Sequence, residues 1–401
     1  VFGVFSYLGG IYIRIKVAFL SHLDWNLYLF RLSWMRALQK EGFDVYAVVP
    51  EGKYTGRMRK AGLKVITYTI ERKSLSPFSA ALTIFALYRV FRREKFHMLH
   101  TFTAKPNIFG SIAAWLAGIP VVLSCVEGLG YIYIVDNLKT KILKIFLSLL
   151  NMVAFKISAK VIFFNKDDLA ELSGLFDVRK AVLLNGTGVD VDYFSCESVN
   201  MDHVERLKVE LGVSEGTKIV TLIARLLWSK GIREFVYAAE ELHKMCEDVI
   251  FLIVGGYYDG SPDSISRDFV KHYEDKRFIK FLGSRDDIRE ILYITDVYVL
   301  PSYREGLPRT VLEAMSMCKP VIASDVPGCR DAVDDGVTGF LIPPKDAIAL
   351  ASALGKLLRN EELRYEMGIR GREKVIQEFS DKVIVEKVVR LDKALLEDIA
   401  F

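Results

Sequence analysis

A chain of 401 residues that is 51% hydrophobic and 12% aromatic has apolar material for two folded domains, and this composition excludes a disordered chain. The net charge of +4 hides an asymmetry: residues 1–190 carry 25 Lys+Arg against 13 Asp+Glu, and the remainder carries 29 against 37. The basic half is therefore expected to face something anionic, with nucleic acid and an anionic membrane surface both fitting.

In chain order, the opening "VFGVFSYLGGIYI" is apolar but lacks a preceding basic region and a small-residue cleavage site. It does not read as a signal peptide; an upstream extension and a lipid contact both fit it. Ile15–Leu20 reads as a buried strand, Leu27–Lys40 as a helix stopping at Gly42, and "DVYAVVP" and Lys64–Ile70 as further strands. The uncharged run Ile108–Val126 is long enough to span a membrane. "GIP" at Gly118–Pro120 interrupts it, however, and a β-branched run follows, so a helix and then a buried strand are expected. Asn137–Lys160 is amphipathic, with Lys139, Lys141, Lys144, Lys156 and Lys160 set among Ile, Leu and Phe. The pattern alone fits a helix lying on an anionic bilayer or an ordinary helix with solvated lysines.

Apolar runs stop and turn residues cluster at Asn185–Phe194, which is read as an interdomain linker. Strands and helices then alternate again through "KIVTLIARL", "IREFVYAAEELHKM", "VIFLIVGG", "RFIKFLG", "DVYVLPS" and "PVIAS". Such alternation implies α/β architecture with two doubly wound parallel sheets and a ligand cleft between them. The expected division is 1–187, 188–378, and a C-terminal helix over 379–401 returning to the first domain. Five cysteines (Cys125, Cys196, Cys246, Cys318, Cys329) without a C-x-x-C argue against a disulfide framework or thiolate metal site and fit a reducing cytosol.

Two constellations carry chemistry. In "SYREGLPRTVLEAM" (Ser302–Met315), Glu305 falls in a strand-to-helix loop and Glu313 in the helix that follows, with Pro308 suited to its first position. Carboxylates at a helix start hold hydroxyls rather than phosphate, although the helix N-terminus itself favours anions. In "IARLLWSKG" (Ile223–Gly231), Arg225 and Lys230 follow a strand end and can clamp a diphosphate. Surface salt-bridging is the bland alternative for either cation. Together the two sets suggest a nucleotide diphosphate-sugar.

"EGLPRTVLEAM", "ARLLWSKG", "LIVGG", "FLGSRDDI", "NGTGVDVDYF" and "GVTGFLIPP" together resemble the family-4-type retaining glycosyltransferases of the GT-B fold, over roughly residues 14–395. "FLSH", "VEGLG" and "IARLLWSKGIREF" are similar to one subgroup, N-acetylgalactosaminyltransferases that extend undecaprenyl-diphosphate-linked diacetylbacillosamine in bacterial protein N-glycosylation.

The resemblance implies that Glu313 binds ribose, Glu305 the donor sugar, and Arg225 and Lys230 the diphosphate. Backbone N–H groups around Gly306, Leu307, Arg309 and Thr310 would support sugar and phosphate, and backbone near Phe281 and Gly283 would meet the uracil. Glu127 stands where many relatives carry histidine, so a contact to donor or acceptor hydroxyls and a partnered buried acid are both open for it. Lys105, near Thr101 and Asn107, and His22 with Asp24 are candidates for the acceptor; His100 alone reads as a core or loop histidine.

The implied activity is metal-independent transfer from a UDP-sugar to a polyprenyl-diphosphate-linked saccharide, with retention and without a cofactor. The implied enzyme is cytoplasmic and peripheral on the inner face of the membrane. "DVD" at Asp190–Asp192 resembles a metal-binding D-x-D but reads as structural. A capsule, O-antigen or exopolysaccharide transferase with another donor is the nearest alternative. A GT-B sugar-nucleotide epimerase fits Glu305 and Glu313 poorly. A catalytically dead membrane scaffold is disfavoured by the intact Arg225, Lys230, Glu305 and Glu313 set. A nucleic-acid binder lacks a recognisable stacking motif.

Overall fold

A computed structural model describes residues 5–8, 11–71, 76–245, 248–258 and 260–398, with side chains described from Arg14 onward except at Tyr131 and Glu274. Cys246 and part of the apolar N-terminal run lie outside these residues. The chain divides into two compact units, residues 1–188 with 381–401, and residues 189–380.

In unit 1, β1 (Phe5–Leu8) and β2 (Ile11–Arg14) form a separate antiparallel pair. The main sheet and its coverings follow as β3 (Lys16–Ser21), α1 (Asp24–Phe30), α2 (Leu32–Lys40), β4 (Asp44–Val49), α3 (Thr55–Lys60), β5 (Lys64–Thr67), α4 (Pro77–Glu94) and β6 (Met98–Phe102). Then come α5 (Ser111–Ala117), β7 (Val121–Val126), α6 (Leu138–Ile157), β8 (Lys160–Phe163), α7 (Lys166–Leu172) and β9 (Ala181–Leu183). The strand order is β5-β4-β3-β6-β7-β8-β9, parallel throughout. Helices on both faces leave strands such as β6 and β7 buried along their whole length, which explains their unbroken apolar runs.

Unit 2 runs α8 (Met201–Leu211), β10 (Lys218–Ile223), α9 (Ile232–His243), β11 (Val249–Val254), α10 (Arg267–Glu274), β12 (Ile279–Gly283), α11 (Ile288–Ile294) and β13 (Val297–Leu300). It ends with α12 (Arg309–Ser316), β14 (Val321–Ser324), α13 (Cys329–Ala332), β15 (Gly339–Ile342), α14 (Ala347–Arg359) and α15 (Glu361–Lys374). The order is β12-β11-β10-β13-β14-β15, again parallel. Apolar clusters pack both faces of this sheet. The final helix, α16 (Asp381–Glu397), belongs to unit 1, where its buried Asp392 accepts from or donates to His100 Nε2 of β6 at 2.9 Å.

Three sequence expectations change locally. The helix expected over Leu27–Lys40 breaks at Arg31 (φ −130°, ψ −2°), which separates α1 from α2. The strand expected to reach Ile70 ends at Thr67, and Pro308 caps α12 rather than opening it. The uncharged run Ile108–Val126 ends its helix at left-handed Gly118 (φ 77°) before β7, and among the described residues no helix is long and apolar enough to cross a membrane.

Candidate active site

Each sheet has a point where strand order reverses, and ligands of open α/β sheets bind beyond the strand carboxyl ends there. In unit 2 this point lies between β10 and β13. Chain leaving β10 carries Arg225 and Lys230; chain leaving β13 carries Glu305. The two loops are locked together. Gly231, at φ 72°, lies so near the Pro301 carbonyl that a Cβ would come within 2.0 Å of its oxygen. The Tyr303 N–H donates to the Ser229 carbonyl at 2.8 Å, and the Ser229 N–H and hydroxyl both donate to buried Asp263. Side chain follows backbone: Lys230 Nζ meets Glu305 Oε1 at 2.5 Å. Arg225 is exposed and stacks its guanidinium 4.6 Å from the centre of the Tyr258 ring.

The loop before α12 is fixed from a second side. The Glu305 N–H donates to the Pro327 carbonyl at 3.3 Å, and a Cβ on Gly328 would meet the Gly306 carbonyl oxygen at 2.3 Å. Tyr298, wholly buried in β13, donates to Thr310 Oγ1 at 2.7 Å and so ties the strand to the first turn of α12. At the start of that helix the Val311 and Leu312 N–H groups both donate to the Pro308 carbonyl, at 3.1 and 3.4 Å. One turn on, Glu313 accepts from Arg309 Nε at 2.9 Å. Burial pushes the Glu313 carboxyl above its ordinary range, and the neighbouring Arg309 opposes the shift. Phe281 and Gly283 are half-buried in β12, and the Gly283 carbonyl accepts from the Gly255 N–H at 2.8 Å.

Unit 1 reverses its order between β3 and β6. His22, just past β3, shares a 2.6 Å hydrogen bond with Thr103, just past β6. Thr103 has φ 73°, a strained value for a β-branched residue. Past β7, Glu127 accepts from the Arg31 guanidinium and from Asn26 Nδ2 at 3.1 and 3.3 Å. Arg31 is completely buried and lies 4.6 Å from the ring centres of both Trp34 and Phe102. The break between α1 and α2 is the place in the chain that supplies this cation. Glu127 is thus partnered on its inner side, and its side chain is still 20% exposed.

The other unit 1 candidates are engaged with backbone. Asp24 is buried and accepts from the Tyr54 N–H at 2.7 Å. Lys105 donates to the Glu71 carbonyl at 3.1 Å, and burial draws its ammonium below the ordinary lysine range. Thr101 and Asn107 bond each other at 2.8 Å inside the core. His100 is a core histidine stacked 4.6 Å from Phe19. Asp190 accepts from the N–H groups of Asp192 and Tyr193, so the D-x-D begins a turn.

Residues 203–374 match the family described as glycosyl transferases group 1, and residues 16–165 match glycosyl transferase 4-like. This chain belongs to the group 1 glycosyltransferases. The glycosyltransferase is 31% identical over 96% of its length to the whole of the Campylobacter jejuni N,N'-diacetylbacillosaminyl-diphospho-undecaprenol alpha-1,3-N-acetylgalactosaminyltransferase. It is 29% identical over 89% of its length, and 90% of the relative, to the Escherichia coli UDP-Gal:alpha-D-GlcNAc-diphosphoundecaprenol alpha-1,3-galactosyltransferase. Among solved structures, Anabaena Alr3699/HepE in complex with UDP and glucose superposes with a TM-score of 0.78 at 17% identity, over 95% of this chain and 100% of that one. The fold is GT-B, with a Rossmann-like sheet in each unit.

Residues that the sequence reading passed over support those it named. Arg31 and Asn26 hold Glu127, Asp263 fixes the Ser229 turn, Thr103 meets His22, and Gly328 lets the chain approach Gly306. The glycine was visible in "VPGCRD"; the arginine carried no signal, because it sits in what reads as a continuous helix.

Proposed function

We propose that this glycosyltransferase moves a sugar, N-acetylgalactosamine first among candidates, from a UDP-sugar to a polyprenyl-diphosphate-linked saccharide with retention of anomeric configuration. The observation carrying the donor half is the Lys230–Glu305 pair at the β10/β13 switch point, with Glu313 on the helix that begins beside it. Departure of UDP builds charge on the β-phosphate, and prearranged cations stabilise such charge most where water is excluded. Lys230 and Arg225 fill that role as point charge and planar fork. A donor hydroxyl then takes the place of Lys230 on Glu305, while Glu313 accepts from ribose. No dedicated protein base is required if a phosphate oxygen receives the acceptor proton. The acceptor half rests on the activities of the Campylobacter jejuni and Escherichia coli relatives and on the unit 1 residues Glu127, His22 and Lys105.

Membrane attachment, on the inner face, is part of the same reading. Helix α6 presents Ile142, Ile145, Phe146 and Leu149, each more than half exposed, beside Lys139, Lys141 and Lys144. Apolar side chains flanked by lysines suit the headgroup boundary of an anionic leaflet.

A panel of UDP-sugars offered with short polyprenyl-diphosphate saccharides, read by mass spectrometry, tests the reading. Addition of one N-acetylhexosamine from UDP-N-acetylgalactosamine is expected. Galactose transfer alone would move the donor assignment toward the E. coli relative's activity. Conversion of UDP-sugar without any acceptor, and no transfer in its presence, would replace the proposal with an epimerase.

A further inference from the structure

Away from the two switch points, the described residues hold two cysteines, Cys196 and Cys318, on segments that pack against each other. Cys196 opens a short 3-10 turn near the start of unit 2, and Cys318 follows α12 in left-handed backbone at φ 55°. Cys196 Sγ also lies 3.7 Å from the Met317 carbonyl oxygen, the residue before its partner. The two segments are pinned to each other. The Phe194 carbonyl accepts from Ser316 Oγ at 2.7 Å and from Arg372 at 3.2 Å, while Arg372 also donates to the Ser316 carbonyl. The pairing is therefore built by the fold on both sides.

Two cations and one carboxylate, that of Glu197, act on the Cys196 sulfur. Arg372 and Lys319 act on both sulfurs, and Lys319 holds its ammonium with a 2.8 Å bond to the Tyr293 carbonyl. Donation from the Cys318 thiol, with help from these cations, brings the Cys196 thiol down to about 6, whereas Cys318 is raised because it keeps the shared proton. Cys196 is also exposed and Cys318 half-buried. Cys125 and Cys329 offer the contrast: both are buried, and burial pushes their thiols up.

We propose that Cys196 and Cys318 form a redox-active dithiol, closed to a disulfide by hydroperoxides and reopened by thiol reductants. The Cys196 thiolate attacks the hydroperoxide; the O–O bond breaks, the leaving oxygen takes a proton and departs as water or alcohol, and Cys196 becomes a sulfenic acid. The Cys318 sulfur then attacks that of Cys196. The S–S bond forms, the S–O bond breaks, and water leaves with the Cys318 proton. Two electrons pass from the thiols to the peroxide. The bond joins the start of unit 2 to the chain leaving the C-terminal end of α12, the helix that carries Arg309 and Glu313.

The test uses the whole chain at neutral pH with graded hydrogen peroxide and peptide-resolved mass spectrometry under non-reducing conditions. A Cys196–Cys318 cross-linked peptide pair, lighter by two hydrogens and lost on adding dithiothreitol, is expected before any oxidation of Cys125 or Cys329. In Cys318→Ser, Cys196 is expected to accumulate as a dimedone-trapped sulfenic acid. In Cys318→Ala, which removes the donor, iodoacetamide alkylation of Cys196 is expected to require a higher pH than in the wild type. Circular dichroism reports whether each variant folds, and the wild-type peptide result stands without them. Cys196 and Cys318 staying reduced while methionines oxidise would overturn the proposal, as would an alkylation profile that Cys318→Ala leaves in place.

Discussion

The two units share one topology, a parallel sheet whose strand order reverses, but they place their charged pairs differently at that reversal. In unit 2 the Lys230 and Glu305 side chains are 17% and 13% exposed and each keeps access to the rim. In unit 1 the Arg31 side chain is wholly buried under aromatic rings, and only its partner Glu127 reaches the surface. A rim pair can exchange partners with a ligand at modest cost. A pair with one member sealed in the core cannot separate without leaving an uncompensated charge in low dielectric. The proposed donor site is thus built from groups that trade partners, and the unit 1 site from a carboxylate held in place.

Glu127→Ala tests that contrast most severely, because it strands the sealed Arg31 guanidinium. Removing one partner of a buried pair costs about 3–5 kcal/mol, so chemical denaturation should show a loss of this order. A stability within about 0.5 kcal/mol of wild type, the scale of a surface change, would mean that Arg31 needs no charged partner.

Lys230→Ala should behave in the opposite way, with small change in unfolding and large change in rate. Loss of a prearranged donor to developing charge raises the barrier by about 2.7–4 kcal/mol, or 10²–10³ in turnover. Near-wild-type turnover at saturating donor would remove Lys230 from the diphosphate site and erase the difference between the units.

How far the sequence foretold these sites follows from how local their determinants are. Glu305, Gly306 and Pro308 occupy one loop, and strand-then-helix patterning around them is enough to place them at a strand end. The pattern places Lys230 and Glu305 on the same sheet edge, but their pairing depends on β10 and β13 being neighbours, which alternation of strands and helices does not specify. Glu127 was different. Its partner Arg31 stands 96 positions away and faces inward because of a one-residue break that helical periodicity does not reveal. Asp24 follows a strand end, as the pattern indicates, and its carboxylate accepts from the Tyr54 N–H in a neighbouring loop, a long-range contact that periodicity does not mark.

The proposed membrane face gives a smaller effect. Each basic residue near an anionic leaflet contributes about 1 kcal/mol. Lys139 is exposed, whereas Lys141 lies 3.2 Å from Asp136 and spends part of its charge there. Lys139→Gln should therefore weaken binding to phosphatidylserine-containing vesicles about fivefold at low salt, and Lys141→Gln less. Equal and negligible effects in a flotation assay would make α6 an ordinary solvated helix.

The smallest expected effect sharpens the contrast from within unit 2, where Glu313 is the most buried of the proposed donor-binding carboxylates. Burial raises its pKa in the folded state and Arg309, at 2.9 Å, offsets part of the rise. A carboxyl raised on folding favours the native state while it is protonated. As pH climbs, the unfolded chain releases that proton first, and stability falls through the interval up to the raised native value. Glu313→Gln has no such proton to lose. Its thermal midpoint should therefore gain on the wild type as pH rises from 4 to 7, while its affinity for UDP-sugar drops, because a neutral amide is a weaker acceptor for ribose hydroxyls than a carboxylate. Parallel pH profiles for the two proteins would show that Arg309 cancels the burial cost completely and that Glu313, like the rim pair beside it, is held ready at no expense to the fold.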